Sequence, residues 1–376
     1  MNICFILPPI ERYSPVTGGP IAAKTMQQAR RLIARGHEVT VLSPADDHPP
    51  YPVGDVVPIY CPTRDSLNIL QRGISQYRSK LRRWDWPYYD YYLASVRRAM
   101  GRLGPYPSAV LVFNDLVTPR YLQRMLPRAR VICMLSAECR TNQKDIRKTI
   151  AATHKFVCVS HYIQNWAVGQ YGIPAEKIVT IPNGADPESF QPRPSYLAAA
   201  SPVKVLYIGR IDPAKGADLA ADAVARLKKE GAAVALTVAD NGGASSNPYF
   251  ESLREKMSAA GAEYLNHLSR RDVPQLVRKH DVACILSRGN DPMPQAALDA
   301  MASGLAVLAS DRGGIPEACD GAGWLVNPDD FESVVGALRT LTTIPPVLNE
   351  YKRRSIARAG RATWDVTVEA LEKVLN

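Results

Sequence analysis

The sequence predicts an α/β protein of two doubly wound, parallel-sheet domains, and three observations lead there. Its 376 residues are more than one hydrophobic core usually fills. Strand-like runs alternate with helix-length segments, and the runs are apolar at nearly every position, as strands covered on both faces require. The alternation then breaks at a Pro-, Ser- and Ala-bearing stretch and starts afresh.

In the first half, residues 2–7 read as a strand and 21–35 as an amphipathic helix. Further strands follow at 38–43, 56–60, 109–113, 130–135 and 155–160, with a helix at 161–171 and a strand at 177–181. Asp186-Pro187, Gln191-Pro192-Arg193-Pro194 and Ser201-Pro202 then mark a linker. The second cycle reads as strand 203–208, helix 217–230, strands 234–239 and 264–268, helix 273–279, strand 281–286, helix 295–303 and strand 305–309. Helices at 332–341, 347–359 and 366–375 close it. The expected division is 1–185, linker 186–202 and 203–376, with the last helix able to pack back on the first domain. Open parallel sheets bind ligands beyond the carboxyl ends of their strands, so the chemistry is expected in a cleft between two facing domains.

Composition narrows the class. The chain is 46% apolar and 22% charged, which excludes disordered and collagenous proteins. The opening Met1-Asn2-Ile3-Cys4-Phe5-Ile6-Leu7-Pro8 has no basic n-region and suits a buried first strand, and no apolar run reaches the roughly 18 residues of a membrane span. The seven cysteines (Cys4, Cys61, Cys133, Cys139, Cys158, Cys284, Cys319) form no C-x-x-C pair and read as buried thiols of a reducing cytoplasm. Residues 1–190 carry 24 Lys+Arg against 14 Asp+Glu and the remainder 22 against 22, so the whole net charge of +10 lies in the first half.

Several motifs could carry chemistry. Thr17-Gly18-Gly19-Pro20 precedes the first helix, whose N-terminus would favour an anion; a plain turn is the other reading. Gly209-Arg210 and Lys215-Gly216 place two cations between the carboxyl end of a strand and a helix N-terminus, where a diphosphate is the natural occupant and two solvated cations the bland alternative. Asp291 precedes the next helix, where it could be a simple cap, and Asp299 interrupts that helix's apolar run, so it needs partners that sugar hydroxyls would supply.

Taken with Arg35-Gly36-His37-Glu38-Val39, Ile181-Pro182-Asn183-Gly184-Ala185-Asp186 and Gly313-Gly314-Ile315-Pro316-Glu317, these motifs resemble glycosyltransferase family 4, retaining enzymes of the GT-B fold using nucleotide diphosphate sugars. The resemblance implies that Arg210 and Lys215 bind the donor diphosphate and stabilise the leaving group, without metal or other cofactor. It implies that Asp291 binds the donor sugar and Asp299 the ribose, with Gly18, Gly19, Met293 and Gln295 in the donor set and His267 and Leu268 beside the base. His37 and His161 match structural positions of the pattern. The chain departs from it with aspartates where glutamates are usual, with Pro294 in place of glycine, and with Ser136 where a histidine is common, Glu138 being a possible substitute on the acceptor side.

Between Arg72 and Arg102 stand eight basic residues against Asp85 and Asp90, interleaved with Tyr77, Trp84, Trp86, Tyr88, Tyr89, Tyr91 and Tyr92. Such a mixture suits an anionic membrane surface that presents a lipid-linked acceptor; a packed aromatic cluster with a solvated rim is the alternative, and no recognised nucleic-acid module accompanies it. The expectation is thus a cytoplasmic retaining glycosyltransferase, peripheral at the inner face of the membrane, moving a sugar from a UDP-sugar or similar donor to a glycan or lipid-linked acceptor in cell-surface polysaccharide or glycolipid assembly. Its rivals are a nucleotide-sugar epimerase of the same fold and a non-catalytic sugar-nucleotide or glycan-binding protein.

Overall fold

The computed structural model of the chain describes residues 1–82, 88–141, 146–197, 201–240, 248–266, 268 and 270–376. They form two compact units, one of Met1–Ile181 with Thr367–Asn376 and one of Pro182–Val366.

Unit 1 is built on seven parallel strands: β1 (Asn2–Ile6), β2 (Glu38–Pro44), β3 (Asp55–Ile59), β4 (Ala109–Phe113), β5 (Arg130–Leu135), β6 (Lys155–Cys158) and β7 (Ile178–Thr180). Their order is β3-β2-β1-β4-β5-β6-β7. The crossovers include α1 (Pro20–Ala34), α2 (Ile69–Arg82), α3 (Tyr89–Met100), α4 (Pro119–Met125), α5 (Ile146–Ala152) and α6 (His161–Tyr171). The apolar character of the strands has a direct cause. Ile3, Phe5 and Leu7 enter the core under α1, while Cys4 and Ile6, pointing the other way, enter the core that holds Tyr92 and Val96 of α3.

Unit 2 repeats the plan with β8 (Val203–Gly209), β9 (Val234–Asp240), β10 (Glu263–Leu265), β11 (Val282–Ile285), β12 (Ala306–Ser310) and β13 (Trp324–Val326), in the order β10-β9-β8-β11-β12-β13. Helices α7 (Ala217–Lys229), α8 (Pro248–Ala259), α9 (Val273–Arg278), α10 (Gln295–Ala302), α11 (Ile315–Cys319), α12 (Phe331–Thr343) and α13 (Pro345–Arg361) cover it. The strand expected at 264–268 is the shorter β10.

The described residues 186–197 of the expected linker belong to unit 2 and pack on it. Arg193 reaches the buried Asp281 at 2.5 Å, and Lys352 donates to both Asp281 and the Tyr196 carbonyl at 2.8 Å. The last helix, α14 (Trp364–Leu375), inserts Val368, Leu371 and Leu375 into the core of unit 1, and its Glu372 meets His37 at 2.9 Å. Among the described residues, no helix is long and apolar enough to cross a membrane.

Candidate active site

In unit 2 the strand order reverses between β8 and β11, the position at which open α/β sheets bind ligands beyond their carboxyl ends. The chain leaving β8 makes a short turn, Pro213–Lys215, closed by the Asp212 carboxylate accepting the Ala214 N–H at 2.8 Å. Gly216 follows at φ 73°, and a side chain there would run into the Leu286 carbonyl at the end of β11. The loop after β11 is braced on the same turn. The Arg288 and Gly289 amides donate to the Ala214 carbonyl at 2.8 and 3.2 Å, and the Arg288 guanidinium grips Asp218 of α7 with bonds of 2.8 and 2.7 Å. Burial opposes the Asp218 charge, but the Arg288 and Tyr249 hydrogen bonds outweigh it and hold the carboxyl below its ordinary range.

This bracing brings Lys215 Nζ to 2.6 Å from Asp291 Oδ2, across 76 residues of sequence. Asp291 is therefore an ion-pair partner rather than a helix cap; the cap position of α10 is Pro294, and no side chain caps that helix. The other Asp291 oxygen accepts the Met293 N–H at 3.2 Å, and its carbonyl accepts the Gly314 N–H at 2.7 Å. Gly313 backs the loop at φ 58°, where a Cβ would lie 2.6 Å from the Asp291 carbonyl oxygen. Arg210 stands exposed at the head of the turn, 3.8 Å from Asp212.

Asp299 lies one turn into α10, and Gln295 reaches it at 2.8 Å while also donating to the Gly184 carbonyl at 3.0 Å. Burial pushes the Asp299 carboxyl up to about 7, with Gln295 and Arg270 offsetting part of the shift. Thus one partner of this carboxylate comes from the chain itself. Leu268 packs beside the core that holds Leu276, its amide on the Asp240 carbonyl at 3.3 Å, while His267 lies outside the described residues.

In unit 1 the Gly18-Gly19 turn is tied down. The Gly18 N–H donates to the Ser14 carbonyl at 2.9 Å, and Glu11 places a carboxylate oxygen 2.9 Å from the Ala22 N–H in the first turn of α1. The helix head expected to be open to phosphate thus already holds an anion of this chain. Ser136 follows β5, its N–H on Asn114 Oδ1 at 2.7 Å, and Lys24 of α1 donates to its hydroxyl at 3.3 Å. Glu138 is held by the Tyr162 hydroxyl and, at 3.1 Å, by Arg140.

Comparison with known proteins identifies the family and the fold. The family model of glycosyl transferases group 1 matches residues 191–362, and that of Glycosyltransferase Family 4 matches residues 24–189. The chain belongs to the group 1, family 4 glycosyltransferases. It is 27% identical over 384 residues to the phosphatidyl-myo-inositol mannosyltransferase of Mycolicibacterium smegmatis, spanning 96% of this chain and 91% of that protein. Among solved structures, the sucrose-phosphate synthase of Thermosynechococcus elongatus aligns with a TM-score of 0.74 at 15% identity, over 99% of this chain and 98% of that one. Anabaena Alr3699/HepE, in complex with UDP and glucose, aligns at 0.72 and 17% identity over 100% and 99%. The two parallel sheets and these neighbours establish the two-domain GT-B fold.

Within the family pattern, the departures acquire physical content. Asp291, one methylene shorter than the glutamate of the family pattern, meets Lys215 at 2.6 Å, on a loop whose Asp291 carbonyl is held by the Gly314 amide. The amides of Arg288, Gly289 and Met293 are all bonded within the chain, and Pro292 and Pro294 have none, so this loop offers few backbone donors to a ligand. Two functional candidates escaped the sequence reading, Glu11 and Lys24, because neither stands in a motif; each is recognisable only by what folding places beside it.

Proposed function

We propose that this glycosyltransferase is a retaining hexosyltransferase that takes its sugar from a nucleotide diphosphate donor, a UDP-sugar foremost. The observation that carries the reading is the meeting of Lys215 and Asp291 at 2.6 Å beside the β8/β11 switch point. Lys215 and Arg210 hold the diphosphate and stabilise its charge as the glycosidic bond breaks, a term normally among the largest in catalysis. That pair supplies the positive charge, so the reading assigns no metal and no other cofactor. Asp291 orients the donor sugar and Asp299 accepts the ribose hydroxyls. The complex of Alr3699/HepE with UDP and glucose supports a nucleotide-sugar donor.

The acceptor is a glycan or lipid-linked molecule of cell-surface polysaccharide or glycolipid assembly, met from unit 1, where Ser136 and Glu138 stand. The name of the mycolicibacterial relative supports a lipid acceptor. So does α2, which is turned inside out. Ser75 and Ser79 are buried, while Leu70, Ile74, Tyr77 and Leu81 form an exposed stripe at helical spacing, flanked by Arg72, Arg78 and Lys80. The protein sits on an anionic membrane by this face, at the inner, cytoplasmic side.

The test is product analysis after incubation with UDP-sugars and bilayers of anionic phospholipid or polyprenyl-linked glycan. Free UDP together with an acceptor glycosylated in the donor's anomeric configuration is expected. An epimerised sugar from donor alone would replace the reading with an epimerase, and nucleotide binding without turnover on any acceptor would replace it with a binding protein.

A further inference from the structure

Lys24 is a cation that the donor site does not use. It lies in α1, 6% exposed, and among the described residues its ammonium makes a single hydrogen bond, to the Ser136 hydroxyl at 3.3 Å. An ammonium taken out of water without a counter-charge is costly, and folded chains ordinarily supply one. Lys352 shows the ordinary solution, with Asp281 at 2.8 Å and a backbone carbonyl besides. Among the described residues Lys24 meets no such carboxylate. Glu138, on the loop of Ser136, is engaged by Tyr162 and Arg140, and the titratable neighbour that favours the Lys24 charge is the thiol of Cys158. Burial accordingly pushes the amine down to about 8.

The surroundings are built rather than incidental. Asn114, at the end of β4, adopts φ 47°, a left-handed conformation uncommon for a residue with a side chain, and from there its Oδ1 holds the Ser136 amide at 2.7 Å. One turn along the buried face of α1, Gln28 is wholly buried, and among the described residues neither its Oε1 nor its Nε2 finds a hydrogen bond and the Thr25 hydroxyl lacks a partner as well. Buried polar groups of this kind are rare and call for an explanation. Ser136 is only half-buried, so the cluster can be approached from solvent beyond the carboxyl end of β5.

We propose that Lys24, with the Ser136 hydroxyl, forms an oxyanion subsite that recognises a phosphoryl group on the acceptor. This rests on the reading that unit 1 carries the acceptor side. An incoming phosphate would give the ammonium its missing counter-charge and accept from the serine hydroxyl, with charge-assisted bonds stronger than neutral ones. The phosphoryl group can belong to a soluble sugar phosphate or to a phospholipid headgroup.

The experiment measures binding of glucose 6-phosphate, glucose and UDP to the full chain as wild type, Lys24→Met, Lys24→Arg and Ser136→Ala, with vesicles containing phosphatidylinositol as a separate arm. Lys24→Met should weaken glucose 6-phosphate at least about tenfold, the loss of one charge-assisted bond. Lys24→Arg should hold it within a few-fold, and glucose and UDP should be unaffected. Lys24-dependent binding confined to vesicles identifies the lipid source, and confined to the soluble probe the sugar phosphate; either supports the subsite. Equal phosphate binding by wild type and Lys24→Met, with UDP bound by both, would overturn the subsite and leave the transferase reading standing. Lys24-dependent phosphate binding without UDP binding would do the reverse. Should Lys24→Met fold poorly, raising of the Lys24 amine pKa by glucose 6-phosphate or by the phosphatidylinositol vesicles, read from its 13Cε shift in the wild type, decides instead; a pKa moved by neither overturns the proposal.

Discussion

Lys215 and Asp291 neutralise one another at 2.6 Å, so a diphosphate must draw the lysine away from the aspartate or share it. Asp299 has a different problem. Its burial favours the protonated acid, whose contribution to stability is present below the ordinary carboxylate range and is lost as pH rises through about 7. A ribose donates its hydroxyls to the ionised form, so the ratio of wild-type to Asp299→Asn nucleotide affinity should grow between pH 6 and 8, beyond the rise that ionisation of the terminal phosphate gives both proteins; calorimetric titration of both at three pH values checks this, and a constant ratio would remove Asp299 from the donor site. The sequence made both acids visible, since each sits against the grain of its neighbourhood. It could not show that Gln295 already serves Asp299, or that Glu11 occupies the head of α1, because those contacts join segments with no motif between them.

At the scale of elements, the strands were the most legible features, because a strand buried on both faces leaves an apolar run that few other structures produce. The three-residue β13 was not foreseen; so short an edge strand carries no pattern. The basic aromatic window of residues 72–102 divides in a way that composition hides. Tyr88, Tyr89 and Tyr92 are core residues, Tyr89 bonded to Asp115 and Tyr92 to the Leu7 carbonyl at 3.0 Å, so they are not interfacial as expected; Trp84 and Trp86 lie outside the described residues. The exposed apolar surface here is the stripe on α2, which begins just before the window with Leu70 at 71% and includes Tyr77 at 68%. Leu70→Glu with Ile74→Glu removes apolar contact and adds repulsion without touching the core. Sedimentation with anionic vesicles should be lost while the melting temperature holds, and undiminished sedimentation would free α2 of that role.

For the whole molecule, two sheets that share the order of their first six strands place their switch points at β1/β4 and β8/β11, and the candidate residues gather beyond the strand ends of each unit. Order and spacing of weak motifs sufficed to identify the family from sequence, since together they sample both units. Specificity was not legible, because it rests on backbone amides and loop shapes that residue identity leaves open. The central claim is that unit 2 holds a nucleoside diphosphate through Lys215, and calorimetric binding of UDP, GDP and ADP to wild type and Lys215→Ala tests it most directly. A charge-assisted bond to phosphate contributes roughly 1.5–3 kcal/mol. Micromolar binding of one nucleotide, UDP foremost, is expected, weakened at least about tenfold in the variant. Binding of no nucleotide, or equal binding by both proteins, would contradict it.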